Sequence, residues 1–174
     1  MQRREFLKAG VLAGAAGLAG TGPLDAAGAG EAGQAQPPVP RFPFADATIA
    51  ELQSAQASGG LGAQALAAAF LARMELVDSG GPRVNSVVER NPEALEIAGP
   101  RGPERGAGRV RGPLHGIPVL LKDNIDTADR MRTSAGSLAL ADSVAARDAF
   151  LVARLRQAGA VVPGKTNLSG GGKL

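Results

Sequence analysis

The sequence predicts an α/β fold containing at least one parallel strand pair. Two short apolar runs, 117–121 and Ala160-Val161-Val162, bracket a helical pattern over 147–158. Strand, helix and strand in that order imply a crossover, right-handed by the usual rule, that returns the second strand parallel to the first. Upstream, Leu66, Phe70, Met74 and Val77 recur at spacings of three and four. That is the apolar face of an amphipathic helix in need of a partner layer.

The elements follow in chain order. Thr48-Ile49-Ala50-Glu51 is a capping box, in which a Thr and a Glu three residues on satisfy each other's backbone donors. It opens a helix over 48–58 that Gly59-Gly60 ends. A second helix covers 62–78, and Ser79-Gly80-Gly81-Pro82 breaks the chain before a strand over 84–89. Asn91 and Pro92 suit the N-cap and first position of a further helix, which Gly99-Pro100 cuts to about two turns. The run 117–121 delivers Lys122 into a polar loop, 123–136, of little periodicity. Helix 147–158 sets Phe150, Leu151, Arg154 and Leu155 around one side, and Gly159 fits the residue after the C-cap, where a left-handed backbone closes the last turn.

Residues 1–29 read as an address rather than as fold. Arg3-Arg4-Glu5-Phe6-Leu7-Lys8 resembles a twin-arginine export signal. Residues 9–20 form an Ala/Gly-rich apolar run too short to span a bilayer, and Ala27-Gly28-Ala29 offers small residues to a signal peptidase. Such a signal implies export, to the periplasm or as a secreted protein, and no membrane role beyond export. Residues 30–45, rich in Gly, Gln and Pro, read as an extended linker, which leaves 46–174 as the folded portion.

Composition bounds the chemistry. The net charge of +3 comes from basic residues dispersed among acidic ones, without the Lys/Arg run and interleaved aromatics of a nucleic-acid footprint, so no nucleic-acid partner is expected. The absence of cysteine excludes disulfides, a thiol nucleophile and Cys-ligated metal. His115 is the one histidine, which excludes a His-dependent serine triad and a multi-His zinc site. There is no Trp or Tyr, only five Phe, and 25 glycines. The predicted core is thin for the length, and independent stability is expected to be marginal.

The stretch 112–126 reads Gly-Pro-Leu-His-Gly-Ile-Pro-Val-Leu-Leu-Lys-Asp-Asn-Ile-Asp. An ammonium at the end of an inner strand is costly unless it is paired or deprotonated, so Lys122 could serve as a base near neutral pH. On spacing alone the ordinary alternative, a lysine snorkelling to water, stands beside that reading. The stretch resembles the lysine-bearing motif of the amidase signature family. The likeness extends over 46–169: Thr48-Ile49-Ala50-Glu51-Leu52 and 61–78 resemble the opening helices, and Arg83-Val84-Asn85-Ser86-Val87-Val88-Glu89 the first strand. Thr133-Ser134-Ala135-Gly136-Ser137 and 158–167 resemble two later segments in the expected order.

The resemblance implies part of a mixed open β-sheet flanked by helices, and hydrolysis of carboxamides by a Ser–cis-Ser–Lys triad. It assigns Lys122 as the triad lysine, with no metal or organic cofactor and with a small-molecule or peptide amide as substrate. The chain also departs from the family pattern. After Thr166-Asn167-Leu168-Ser169 it runs Gly170-Gly171-Gly172-Lys173-Leu174, whereas the family continues with an acidic and an aromatic residue and carries its two triad serines several tens of residues further on. Gly99-Pro100-Arg101-Gly102-Pro103 interrupts what is usually one helix. The expectation is therefore the front part of an amidase, inactive alone. The alternatives are a non-catalytic remnant or binding protein of the same fold, or a protein like the amidotransferase subunit that supplies ammonia for charged tRNA.

Several other features invite functional readings that the residues do not support. Residues 159–166 match the phosphate-loop pattern G-x-x-x-x-G-K-[ST], yet a helix enters and an apolar strand fills the loop, the reverse of what converges N–H groups on phosphate. Ser169 beside three glycines reads as a flexible chain segment, and Ser134 and Ser137 as loop serines bonding to backbone. His115 reads as fixing a turn through one hydrogen bond. Asp123, Asn124 and Asp126 read as turn residues capping backbone N–H groups and helping to position Lys122. Lys165, Thr166 and Asn167 read as structural residues near the edge of the active-site sheet.

Overall fold

Val161 and Val162 are adjacent in sequence and face opposite sides of one extended segment, as the alternation of a strand requires. Val161 packs with Ala67, Ala94 and Ala98, while Val162 packs with Leu121, Met131 and Val152. That split makes the segment around 160–166 the middle layer of a helix–sheet–helix arrangement. The computed structural model of the chain describes residues 38–168. The expected export signal, the linker as far as residue 37, and Ser169 lie outside the described residues.

Among the described residues three strands form the sheet, in the order β1-β3-β2: β1 is Val87–Arg90, β2 is Leu121–Lys122 and β3 is Gly164–Thr166. β2 lies parallel to β3 in the register Leu121↔Lys165 and Lys122↔Thr166, and β1 lies antiparallel on the other side, with Glu89 opposite Lys165. The mixed sheet with helices on both faces is the predicted α/β class.

Helix α1, Ile49–Ala57, opens with the capping box in place: Glu51 N donates to Thr48 Oγ1 at 3.2 Å, and Thr48 N donates to Glu51 Oε2 at 2.8 Å. Helix α2, Ala63–Met74, then buries Leu66 and Met74, and Leu66 joins Leu52 and Ile117 in a third apolar cluster. Phe42 and Phe44 dock on the half-buried Phe70, the Phe42 and Phe70 rings meeting edge to face at 5.0 Å. The helix predicted to residue 78 is α-helical only to Met74 and finishes as a π-helical turn, Glu75–Ser79.

Other boundaries move for identifiable reasons. The strand predicted over 84–89 begins at Val87, because Arg83 and Asn85 both take φ +52° and the chain turns there. The Asp78 carboxylate gathers that turn, accepting from Ser86 N, Ser86 Oγ and Val87 N at 2.6, 2.6 and 3.0 Å. Asn91 does not cap a helix at Pro92. Its Oδ1 accepts from Glu93 N, its Nδ2 reaches Val162 O at 2.8 Å, and helix α3 is the short Ala94–Ala98. After Gly99-Pro100 the chain re-enters a helix, α4, Arg101–Gly106.

The run 117–121 is not a continuous ladder. A single parallel bridge, Pro118↔Val161, made by Val161 N to Ile117 O and Val119 N to Val161 O, precedes the two-residue β2, and the register slips by one residue between them, from 118↔161 to 121↔165. The run 160–162 likewise contributes one bridge, and its ladder falls at β3 instead. Helix α5, Phe150–Gln157, starts three residues later than expected; Val152 is fully buried in it, whereas Phe150 and Leu151 are 83% and 51% exposed. The bond from Ala149 N to Asp126 O sets the start of α5, so that Val152 and half-buried Leu155 meet Leu121 and Met131. Gly159 follows the C-cap at φ +87° as predicted.

A polar cluster is buried beside α4. His115 is fully buried and makes two hydrogen bonds rather than one. Its Nδ1 accepts from Arg111 N at 3.3 Å, so its Nε2 carries the proton and donates to Arg101 O at 2.8 Å. Glu104 binds Arg111 and Arg101 together. The Arg111 hydrogen bond and then the charges of Arg101 and Arg111 hold its carboxyl down at about 2. Because the folded value lies below the unfolded one, the stabilisation is complete above about pH 4.5 and is lost as pH falls toward 2. Half-exposed Arg111 lets solvent screen the pair, so the effect is about 1–2 kcal/mol. Glu104→Gln is expected to be less stable than wild type at pH 6 and to converge with it by pH 2 in denaturant titrations. A constant gap across that range would remove Glu104 from the acid response.

Candidate active site

β2 ends at Lys122, so the sheet hands this lysine directly to the loop at 123–136. Backbone bonds pin that end from both sides. Asp123 N donates to Thr166 O at 3.0 Å, and Ile125 N turns back to Lys122 O at 3.0 Å. Thr166 Oγ1 also donates to Leu121 O at 3.3 Å. Lys122 is half-buried, at the border between sheet and solvent.

The next residue, Asp123, is buried, and its Oδ2 accepts a short bond, 2.6 Å, from Ser134 Oγ. Ser134 therefore bonds chiefly to a carboxylate rather than to backbone, although its oxygen also accepts from Gly136 N at 3.3 Å. Asp123 and Ser134 line a cleft of about 280 Å³ whose wall includes Val88 and Leu138 and whose rim carries the Arg132–Glu89 ion pair, 3.3 Å apart. Ser137 lies at the same cleft, its N donating to Ser134 O. Asn124 and Asp126 are exposed. Among the described residues no group of three or more His, Asp or Glu is placed to hold a metal ion.

The fully buried lysine of the described residues is Lys165, the middle residue of β3. That side chain is fully buried, and Nζ donates to Arg132 O at 2.9 Å and to Thr133 Oγ1 at 2.5 Å. Burial pulls its pKa below the ordinary lysine value, and the carboxylates of Asp123, Asp129, Asp126 and Glu89 pull it back. The sequence held the signal, since Lys165 follows an apolar run just as Lys122 does. The same bonds dispose of the phosphate-loop pattern: Val161 and 164–166 pair in the sheet, and its lysine is bonded to Thr133.

Comparison with known proteins places these residues in context. A family model described as Amidase matches residues 65–172. A crystal structure of peptide amidase from Stenotrophomonas maltophilia is 54% identical and superposes with a TM-score of 0.71 over 74% of this chain and 26% of that one. An amidase family protein from Bacillus anthracis is 41% identical, with a TM-score of 0.68, over 72% of this chain and 25% of that one. An indoleacetamide hydrolase from Bradyrhizobium diazoefficiens is 36% identical over 74% of this chain and 24% of its own length. The chain thus spans about a quarter of each.

Proposed function

The chain belongs to the amidase family, and from that premise we propose that it contributes the lysine of an amidase that hydrolyses carboxamide C–N bonds by a Ser–cis-Ser–Lys mechanism, with Lys122 as that lysine. The neutral amine accepts, through the intervening serine, the proton of the attacking serine hydroxyl. The serine oxygen bonds to the amide carbon, the C–N bond breaks, and the proton leaves with the amine. Water then releases the acyl group from the serine. Backbone N–H groups stabilise the oxyanion, commonly a large contribution. Neither serine is assigned in this chain, and the chemistry calls for no metal or organic cofactor.

The observation that supports this reading is the position of Lys122. It stands half-buried at the tip of β2, pinned to β3, one residue from the cleft at Asp123 and Ser134. The relative named peptide amidase makes peptide amides the first substrates to try. The test is a chimera in which residues 46–168 replace the matching segment of that enzyme. Turnover of peptide amides is expected, and a folded chimera without turnover of any amide would refute the proposal.

We also propose that residues 1–29 direct twin-arginine export, which disfavours the amidotransferase alternative because charged tRNA is cytoplasmic. Fused to a reporter, residues 1–45 should carry it into the periplasm, and changing Arg3→Lys with Arg4→Lys should stop transport. Transport that survives the double change would overturn the assignment.

A further inference from the structure

Lys165 is a buried cation that the proposed chemistry does not use. Burying an amine is expensive unless its donors are satisfied, and a well-packed apolar side chain in its place would commonly be no less stable. Its bonds run to one place: Arg132 O and Thr133 Oγ1, the start of the segment that forms the cleft wall. Thr133 is itself buried. The next residue, Ser134, holds the Asp123 carboxylate at 2.6 Å, and Asp123 is joined covalently to Lys122. A continuous series of short bonds therefore leads from β3, across the loop, to the end of β2.

We propose that Lys165 is a positioning residue for Lys122: it clamps the 132–134 segment against the sheet and, through Ser134 and Asp123, fixes the strand end that carries the amine. The proposal rests on Lys122 being the functional lysine, but its test needs no turnover. Burial lowers the pKa of the Lys165 amine, and the charges of Asp123, Asp129, Asp126 and Glu89 act against that. They favour the ammonium form, whose charge strengthens both bonds.

The full chain contains four lysines, Lys8, Lys122, Lys165 and Lys173, so ¹³C labelling at lysine Cε yields four signals that can be titrated by NMR. Lys165→Met removes a charge and would perturb Lys122 through space as well. The deciding variants are therefore Thr133→Val and Ser134→Ala, which change no charge and break the series at two separate links. Each is expected to move the Lys122 titration midpoint by about 0.5 pH unit or more while circular dichroism stays that of wild type. Midpoints unchanged in both folded variants would make Lys165 a structural staple only. A shift with Ser134→Ala but none with Thr133→Val would cut Lys165 out of the series and equally overturn the proposal. Inactivity of the chimera beside shifted midpoints would instead count against the amidase mechanism and leave the clamp standing.

Discussion

Replacing Lys122 with alanine in the chimera with peptide amidase is expected to lower kcat for amide hydrolysis roughly a thousandfold, the scale of losing a positioned proton acceptor. KM should change little, because the lysine acts on the proton in flight rather than on the resting substrate. The fold should survive. The strand end is held by backbone bonds from Asp123 to Thr166 and from Ile125 to Lys122 that alanine keeps. Lys122→Arg should be nearly as damaging, since a guanidinium stays protonated and cannot accept the proton. Retention of more than about a tenth of wild-type kcat by either variant would remove Lys122 from the proton path.

Gly159→Ala is expected to cost a large share of the chain's stability. At φ +87° any side chain is strained, and a Cβ there would lie 2.8 Å from both Cα and Nδ1 of His115. His115 cannot retreat, because Arg101 O and Arg111 N hold its ring and Gly116 N is bonded to Gly159 O at 2.9 Å. Left-handed strain of about 1 kcal/mol adds to the overlap, so a total of about 3 kcal/mol or more is expected. For a chain with so few large apolar side chains that is a substantial share of its stability. Gly106→Ala is the contrast: it lies in α4 with open space where the methyl would go, and should be neutral or slightly stabilising. Chemical denaturation of the two variants would separate them, and equal midpoints would show that Gly159 is not under this constraint.

The readings that held were those settled within a few residues. The Thr48–Glu51 box opens α1 because both partners lie in one turn, and Gly159 ends α5 because only its own φ is at issue. Those that moved depended on a distant partner. Asn91 Oδ1 accepts from Glu93 N as a cap would, yet the helix starts only at Ala94, and the Asn91 Nδ2 donates to Val162 O, 71 residues away. The helix expected from residue 147 begins at Phe150, after Ala149 N has bonded to Asp126 O, 23 residues back in the chain. The apolar run 117–121 was interrupted by a one-residue slip against its partner, from Pro118↔Val161 to Leu121↔Lys165.

By itself the sequence determined the α/β class, the order of its elements and the motif that singles out Lys122, since periodicity, caps and motif residues are properties of neighbouring positions. Only the tertiary structure decided which lysine leaves water. Lys122 and Lys165 both follow apolar runs, but Lys165 occupies the central strand, where Arg132 and Thr133 close over it from 33 and 32 residues away. Among the described residues Lys122 ends the outer strand β2 and is half-buried. Desolvation is set by what packs on both sides of a strand, and no local pattern encodes that.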